Sequence, residues 1–119
     1  MKTILLVDDE YAIVEVLAHL LEEEGYAVLT ASNGHEALER ASEAVPDLVV
    51  TDQMMPLMNG VDLFRALKKH AALREVPVIL ITSAPPVAAR ELRWADIVAK
   101  PFEFEEFLGA VRRAFRKRR

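Results

Sequence analysis

Short runs of valine, isoleucine and leucine alternate with segments of helical periodicity along this chain, and this alternation restricts the fold more than any other feature. Because most of these runs are almost continuously apolar, the strands they predict must be covered on both faces. Such coverage is typical of a parallel sheet between two layers of helices. We therefore predict an α/β fold with five parallel strands, at residues 4–7, 26–31, 47–51, 76–81 and 95–99.

The segments between these runs predict amphipathic helices. Residues 11–24 place apolar side chains at i, i+3, i+4, i+7 and i+8, which is the spacing of a helix with one buried face. Gly25 follows in the position where a helix commonly ends. Three further helices are predicted at residues 35–44, 61–70 and 103–116.

Two Asn-Gly pairs and one Pro-Pro pair mark connections between the predicted elements. Asn33-Gly34 predicts a turn, and Asn59-Gly60 predicts a tight turn with its glycine at positive φ before the third helix. Pro85-Pro86 follows the fourth strand, and proline disfavours helix both at itself and at the residue before it. The helix that should come next is therefore predicted to be short, at residues 88–93, or poorly formed.

Composition excludes several classes of protein. A chain of 119 residues has the size of one domain, so residues 1–119 are predicted to form a single domain. No apolar run approaches the ~20 residues of a membrane span, and no leader resembles a secretory signal. The absence of cysteine excludes disulfides and thiolate chemistry. These features predict a cytoplasmic location without a membrane partner.

The C-terminal end is basic, although the whole chain carries a net charge of −4. Residues 112–119 contain six arginines or lysines and no acidic residue. Cations suit the negative end of a helix dipole, and we favour this interpretation. A nucleic-acid-binding arm is the alternative, for which one short basic run is weak evidence. The segment could also begin a linker to a further domain.

Polar side chains follow four of the five predicted strands. These side chains belong to Asp8-Asp9, Asp52, Thr82-Ser83 and Lys100-Pro101. Open parallel sheets bind ligands outside the carboxyl ends of their strands, so we expect these side chains to share one crevice. Three carboxylates, a hydroxyl and an amine suit a divalent cation together with a phosphoryl group.

Each of these residues also has an ordinary structural interpretation. Asp8 or Asp9 alone would more often cap a helix, and Asp52 alone would begin a loop. Ser83 alone would be a turn residue, and Lys100 a solvated charge. All five would have to reach one edge of the sheet by chance, which favours a site. The side chains of His19, His35, His70, Met54, Met55 and Met58 are predicted to be surface or packing groups without a ligand role.

Four segments carry motifs of a known family: residues 4–10 (ILLVDDE), 52–60 (DQMMPLMNG), 82–84 (TSA) and 100–102 (KPF). No single motif is decisive, but their joint occurrence in this order at these strand ends is very specific. On these residues the chain resembles the receiver domain of two-component response regulators from end to end. The resemblance implies a flavodoxin-like fold, a doubly wound three-layer sheet with strand order 2-1-3-4-5.

The resemblance also implies a metal site. Asp9 and Asp52 would ligate Mg²⁺ (or Mn²⁺) directly, and Asp8 would act largely through a bound water. The backbone carbonyl of Met54 would add a further ligand. A mixture of carboxylates, carbonyl and water is what Mg²⁺ accepts.

A phosphoacceptor role for Asp52 follows from the same resemblance. Asp52 would take a phosphoryl group from a phosphohistidine as an acyl phosphate. Lys100 would supply positive charge, and the Ser83 hydroxyl would donate to a phosphoryl oxygen. The peptide bond between Lys100 and Pro101 would be cis, as is usual in the family.

The partners implied are a sensor histidine kinase or a histidine phosphotransfer protein, together with an unidentified downstream protein. Binding of nucleic acid to this domain is not expected, and the domain would be a monomer or a weak dimer. The resemblance implies a phosphoacceptor and not an enzyme. At most, self-phosphorylation from small phosphodonors and autodephosphorylation are expected.

Two departures from the family pattern concern how phosphorylation would be passed on to a downstream protein. Ile97 stands where receivers usually carry tyrosine or phenylalanine, so the usual aromatic switch is not expected. The short fourth helix is expected to weaken the dimer surface that many receivers form with helix four, strand five and helix five. Trp94 is predicted to cover the thinned face of the sheet, with an exposed anchor for a partner as the alternative.

Two other functions stay open beside the phosphoacceptor. A receiver-like interaction module with weak or phosphorylation-independent switching is compatible with Ile97 and the short helix. A small enzyme on a doubly wound fold is the second, but no glycine-rich phosphate loop follows the first strand. A phosphohydrolase would also need a cap or specificity region, for which 119 residues leave little room.

Overall fold

The computed structural model describes residues 1–117 and contains one sheet of five parallel strands. Arg118 and Arg119, part of the basic segment interpreted above, lie outside the described residues. The strand order is β2-β1-β3-β4-β5, which confirms the predicted topology. The strands are β1 (Thr3–Val7), β2 (Ala27–Ala31), β3 (Leu48–Asp52), β4 (Val78–Thr82) and β5 (Asp96–Ala99).

Four α-helices and one 3₁₀ segment connect the strands. The helices are α1 (Tyr11–Glu23), α2 (Gly34–Glu43), α3 (Gly60–Lys69) and α4 (Phe104–Lys117). Between β4 and β5 the chain forms only a 3₁₀ segment at Val87–Glu91, which confirms the prediction of a short helix there. Pro86 precedes it in extended conformation, with φ −67° and ψ 157°.

Alternate residues of the strands pack into two separate cores, one on each face of the sheet. On one face, Ile4 and Ile79 pack with Phe107 of α4. On the other, Leu5 packs with Leu63 of α3. All five side chains are fully buried, and each contributes about 1.5–3 kcal/mol of burial free energy. The three-layer arrangement predicted from the apolar runs is therefore present.

Asparagine side chains begin two of the helices. Asn33 Oδ1 accepts a hydrogen bond from the Glu36 amide at 2.8 Å, so the pair predicted as a turn serves as the N-cap of α2. Asn59 forms a capping box with Asp62 at the start of α3. Both helices thus begin at positions that the asparagines determine.

The prediction of positive φ at Gly60 is wrong. Within residues 1–117, positive φ occurs at Gly25 (95°) and at Leu57 (69°). Gly60 has instead no room for a side chain, because a Cβ there would lie 2.8 Å from the main-chain oxygen of Asp52 and 2.9 Å from Oε1 of Gln53. Close approach of α3 to the end of β3 therefore explains the glycine.

Trp94 covers the sheet beside the 3₁₀ segment. Its Nε1 donates a hydrogen bond to the carbonyl of Ala89 at 2.9 Å. Its ring lies 4.5 Å, centroid to centroid, from the ring of Phe64 on α3. Ile97 is half-buried against Leu80 in the same region. These contacts match the covering role predicted for Trp94.

Two arginines of the basic segment form ion pairs within the domain. Arg112 lies 3.0 Å from Glu24, and Arg113 lies 3.0 Å from Asp96. Exposed pairs of this kind contribute about 0–1 kcal/mol each, so they fix the orientation of α4 only weakly.

In the described part of the chain, no helix has the length and apolarity to cross a bilayer.

Candidate functional site

The carboxyl ends of four strands meet at one edge of the sheet. Parallel registers pair Val7 with Thr51, Asp52 with Ile81, and Thr82 with Ala99. The polar residues that follow these strands are therefore brought to the same level. The crevice predicted from the strand ends exists at this edge.

Asp8, Asp9 and Asp52 form an acidic group in this crevice. One carboxylate oxygen from each lies within 4.8 Å of the others, a spacing that would allow them to hold one metal ion. Asp52 is 3% exposed and Asp8 9%, whereas Asp9 is exposed. Two buried carboxylates and an exposed one therefore face a common space.

Lys100 contacts the most buried of these carboxylates. Its Nζ lies 2.7 Å from Oδ1 of Asp52. Burial alone would lower the pKa of Lys100, but the hydrogen bond to Asp52 and the charges of Asp52, Asp8 and Glu10 outweigh burial and raise it. Lys100 is therefore a cation held by the acidic group.

The pKa of Asp8 is raised from 3.8 to about 6. Burial is the largest cause, and the charges of Asp52 and Glu10 add to it. A hydrogen bond from the Glu10 amide to Asp8 Oδ1, at 2.9 Å, and the charge of Lys100 act in the opposite direction. Neither Asp8 nor Asp9 caps α1, whose N-cap residue is Glu10. The crevice thus holds more negative charge than Lys100 balances.

Ser83 lines the same crevice as Asp8 and Lys100. These residues border a cleft of about 420 Å³ that Ile13 and Phe102 line on its apolar side. The neighbouring hydroxyl, on Thr82, is buried and hydrogen-bonded to Ala84. Of the two hydroxyls at the end of β4, the one on Ser83 is thus placed at the cleft. The peptide bond between Lys100 and Pro101 is cis, as predicted.

The loop between β3 and α3 carries Met54, whose side chain is 74% exposed. Met55 is buried and Met58 half-buried in the core, as predicted for packing groups. The three histidines are exposed, and none belongs to the acidic group.

Sequence reasoning missed two residues beside the predicted ones. Glu10 lines the cleft and acts on the charges of Asp8 and Lys100. Gln53 is 6% exposed, and its side chain binds the first turn of α3. The available signal for Gln53 was a polar amide directly after Asp52, at the end of a strand that begins with apolar residues.

Comparison with known proteins identifies this arrangement. A family model described as the response regulator receiver domain matches residues 4–112. The chain belongs to this family. It is therefore a receiver domain of the two-component response regulators, with its acidic pocket formed by Asp8, Asp9 and Asp52.

Several relatives of this receiver domain have names or solved structures. The chain is 37% identical, over 98% of its length, to the alkaline phosphatase synthesis transcriptional regulatory protein PhoP of Bacillus subtilis, of which it covers 49%. It resembles the structure of the chemotaxis protein CheY4 of Vibrio cholerae with a TM-score of 0.89 and 29% identity, covering 96% of this chain and 98% of that one. The response regulator TrrA of Thermotoga maritima, solved in complex with Mg²⁺ and BeF, gives a TM-score of 0.84 and 34% identity over 96% of this chain and 99% of that one. The chain spans about half the length of the curated relatives it matches.

Proposed function

We propose that this receiver domain accepts a phosphoryl group on Asp52 from a phosphohistidine of a sensor histidine kinase or a histidine phosphotransfer protein. One observation carries the proposal. The buried carboxylate of Asp52 lies 2.7 Å from Lys100 and shares a space with Asp8 and Asp9. A carboxylate that contacts a cation and belongs to a candidate metal site suits phosphoryl transfer, which depends on positioning and charge neutralisation.

The residues of the acidic group fit a divalent cation. Three carboxylates face one ammonium group, and the raised pKa of Asp8 reflects burial together with this excess of negative charge. Asp9, Asp52 and the carbonyl of Met54 would hold Mg²⁺ or Mn²⁺, with Asp8 acting through water. When bound, the ion supplies positive charge to the phosphoryl oxygens. The complex of TrrA with Mg²⁺ and BeF supports this assignment.

The transfer step follows from the position of Asp52. One carboxylate oxygen attacks phosphorus while the bond between phosphorus and the histidine nitrogen breaks, and the electron pair passes to the imidazole. Lys100 holds the carboxylate before attack and remains close to the negative oxygens that arrive with the phosphoryl group. Ser83, at the border of the cleft, can donate its hydroxyl hydrogen to one of these oxygens.

The domain acts in this proposal as a phosphoacceptor and not as a turnover enzyme. Self-phosphorylation from small phosphodonors and hydrolysis of its own acyl phosphate would be its only reactions. The phosphorylated form would change the contacts of the domain with a downstream protein in the cytoplasm, as a monomer or a weak dimer. Relatives named as transcriptional regulators are about twice as long as this chain, which is consistent with a separate part that carries the output.

Binding of beryllofluoride, a phosphoryl mimic, tests this site. With Mg²⁺ present, we expect slowly exchanging protein-bound fluorine signals in ¹⁹F NMR spectra of the wild-type domain. Asp52→Asn should abolish them, whereas the exposed Asp62→Asn, on α3, should retain them. Bound signals that persist in Asp52→Asn would contradict the assignment of Asp52.

A phosphorylation-independent interaction module is the second candidate, and Ile97 favours it. This residue replaces the usual aromatic and is packed against Leu80. Amide exchange over residues 82–100, with and without beryllofluoride, distinguishes the two functions. The phosphoacceptor function predicts altered protection of the Ser83 and Ala84 amides, and an unchanged profile in a protein that binds the mimic favours the module.

A further inference from the structure

Gln53 links the end of β3 to the start of α3 through both its main chain and its side chain. Its amide donates to the carbonyl of Ile81 at 3.1 Å, and its own carbonyl accepts from the Gly60 amide at 3.1 Å and from the Met55 amide at 3.2 Å. Its side-chain Oε1 accepts from the amide of Val61 at 3.0 Å. One residue thus makes four hydrogen bonds that hold together a strand, a loop and a helix.

The side-chain bond satisfies a group that the helix cannot satisfy itself. Val61 lies in the first turn of α3, where amides have no partner within the helix. Val61 is 4% exposed and Gln53 is 6% exposed. If the glutamine side chain were removed, water could not readily reach the Val61 amide to take its place. A buried amide without a partner is unfavourable, because it has lost its hydrogen bond to water and gained none in return. The hydrogen bond from Val61 to Gln53 therefore stabilises the start of α3.

The start of α3 is also packed closely against Gln53 and Asp52. A Cβ at Gly60 would lie within 2.9 Å of Gln53 Oε1 and within 2.8 Å of the main-chain oxygen of Asp52. The start of α3 thus rests directly on the two residues that begin the loop. Asp52 and Met54 adjoin Gln53 in the sequence, so both are linked through it to the start of α3.

We infer that Gln53 is a positioning residue for the metal site, which rests on the proposed function of Asp52 and Met54 as metal ligands. Gln53 touches neither metal nor phosphate in this assignment. It fixes the loop so that a side-chain oxygen before it and a main-chain oxygen after it point to one ion. Residues that orient metal ligands typically change metal affinity by about 10–100-fold when they are replaced.

Replacement of the amide tests the inference. Gln53→Met keeps the approximate length of the side chain and removes the acceptor. We expect Mg²⁺ to bind about tenfold more weakly by calorimetric titration. Gln53→Glu retains an acceptor for Val61 and adds a negative charge beside the acidic group, so it should bind Mg²⁺ at least as tightly as the wild type.

Asn59→Ala is the matched control. It removes the N-cap of the same helix, where Asn59 Oδ1 accepts from the Asp62 amide at 2.9 Å, and should lower the midpoint of thermal unfolding. Mg²⁺ affinity should change much less than in Gln53→Met, because the hydrogen bonds of the cap join Asn59 to Asp62. An equal loss of affinity in Asn59→Ala and Gln53→Met would show that Gln53 acts only through helix stability, and would overturn the inference.

A measurement on the wild-type domain keeps the inference testable if Gln53→Met does not fold. On titration with Mg²⁺, the Val61 amide and the side-chain amide of Gln53 should shift in ¹⁵N–¹H spectra with the same midpoint as the Met54 amide. Unchanged signals from Gln53 and Val61 beside a shifting Met54 would overturn the inference alone. A wild-type domain that binds no Mg²⁺ would overturn the proposed metal site, and this inference with it.

Discussion

The ammonium nitrogen of Lys100 lies 2.7 Å from Oδ1 of Asp52, in a crevice that also contains Asp8 and Asp9. The two residues are 48 positions apart in the sequence and lie at the ends of β5 and β3, with β4 between them. Parallel pairing alone brings them together. The chemistry of this receiver domain is thus a direct consequence of strand order.

Removal of the Lys100 charge should lower the stability of the metal-free domain and should not weaken the binding of Mg²⁺. Lys100→Met leaves the buried Asp52 carboxylate without its cation, so we expect a loss of about 1–2 kcal/mol of unfolding free energy in EDTA, allowing for solvent at the lysine. Mg²⁺ should bind at least as tightly as in the wild type, because no ammonium competes for Asp52. Urea unfolding and calorimetry measure the two effects. Lys69→Met, at an exposed lysine of α3, is the control. Weaker Mg²⁺ binding in Lys100→Met would show that the ammonium group does not compete with the metal for Asp52.

Neutralisation of Asp8 should stabilise the metal-free domain at neutral pH. The raised pKa, about 6 against 3.8, means that the folded state holds this proton more tightly than the unfolded state. Stability from Asp8 is therefore fully present below pH 3.8 and is lost as pH rises to about 6. At pH 7.5 in EDTA, Asp8→Asn should be about 1–2 kcal/mol more stable than the wild type.

The advantage of Asp8→Asn should disappear at low pH and on addition of Mg²⁺. Near pH 4 the wild-type Asp8 is protonated in the folded state, so the two proteins should have similar stability. Thermal unfolding across pH, with and without Mg²⁺, gives both comparisons. Equal stability of the two proteins at pH 7.5 in EDTA would show that Asp8 carries no unfavourable charge.

Glycine at position 57 should stabilise the loop that carries Met54. Leu57 has φ 69° and is 95% exposed, so its side chain meets steric strain without gaining burial. Leu57→Gly should raise the unfolding free energy by about 0.5–1 kcal/mol, after the entropy of glycine in the unfolded chain is subtracted. Met54→Gly, at an exposed residue of the same loop without positive φ, should lower it slightly. Urea unfolding that ranks the two variants in the opposite order would contradict this explanation.

Trp94 should contribute to stability through both its ring and its N–H group. Trp94→Phe loses the hydrogen bond to the Ala89 carbonyl and should cost about 1 kcal/mol. Trp94→Ala also loses the ring contact with Phe64 and should cost about 2–3 kcal/mol. Unaltered thermal unfolding of Trp94→Ala would favour the alternative in which this side chain serves a partner.

Most of the fold could be predicted because its signals are local and agree with one another. Apolar runs such as residues 4–7 and 48–50 specify buried parallel strands, and Pro85-Pro86 specifies the reduced helix. The strand ends then bring the charged residues to one edge. Topology and the location of the site therefore follow from the pattern without knowledge of any contact.

The remainder depended on contacts that no local pattern records. Gly60 was assigned a backbone conformation because glycine often serves that purpose, but its reason is the nearby oxygen of Asp52. The strained φ instead belongs to Leu57, for which no sequence rule predicts it. The link between Gln53 and Val61 joins residues of adjacent elements through a side chain and is visible only once the helix is in place.

Intact-mass measurement after incubation with acetyl phosphate and Mg²⁺ tests the central claim most directly. We expect the wild-type domain to gain the mass of one phosphoryl group, and the gain to require Mg²⁺. Asp52→Asn should show no gain, whereas Asp62→Asn should behave as the wild type. A wild-type domain that stays unmodified while it binds Mg²⁺, or an adduct that persists in Asp52→Asn, would contradict the assignment of Asp52 as the phosphoacceptor.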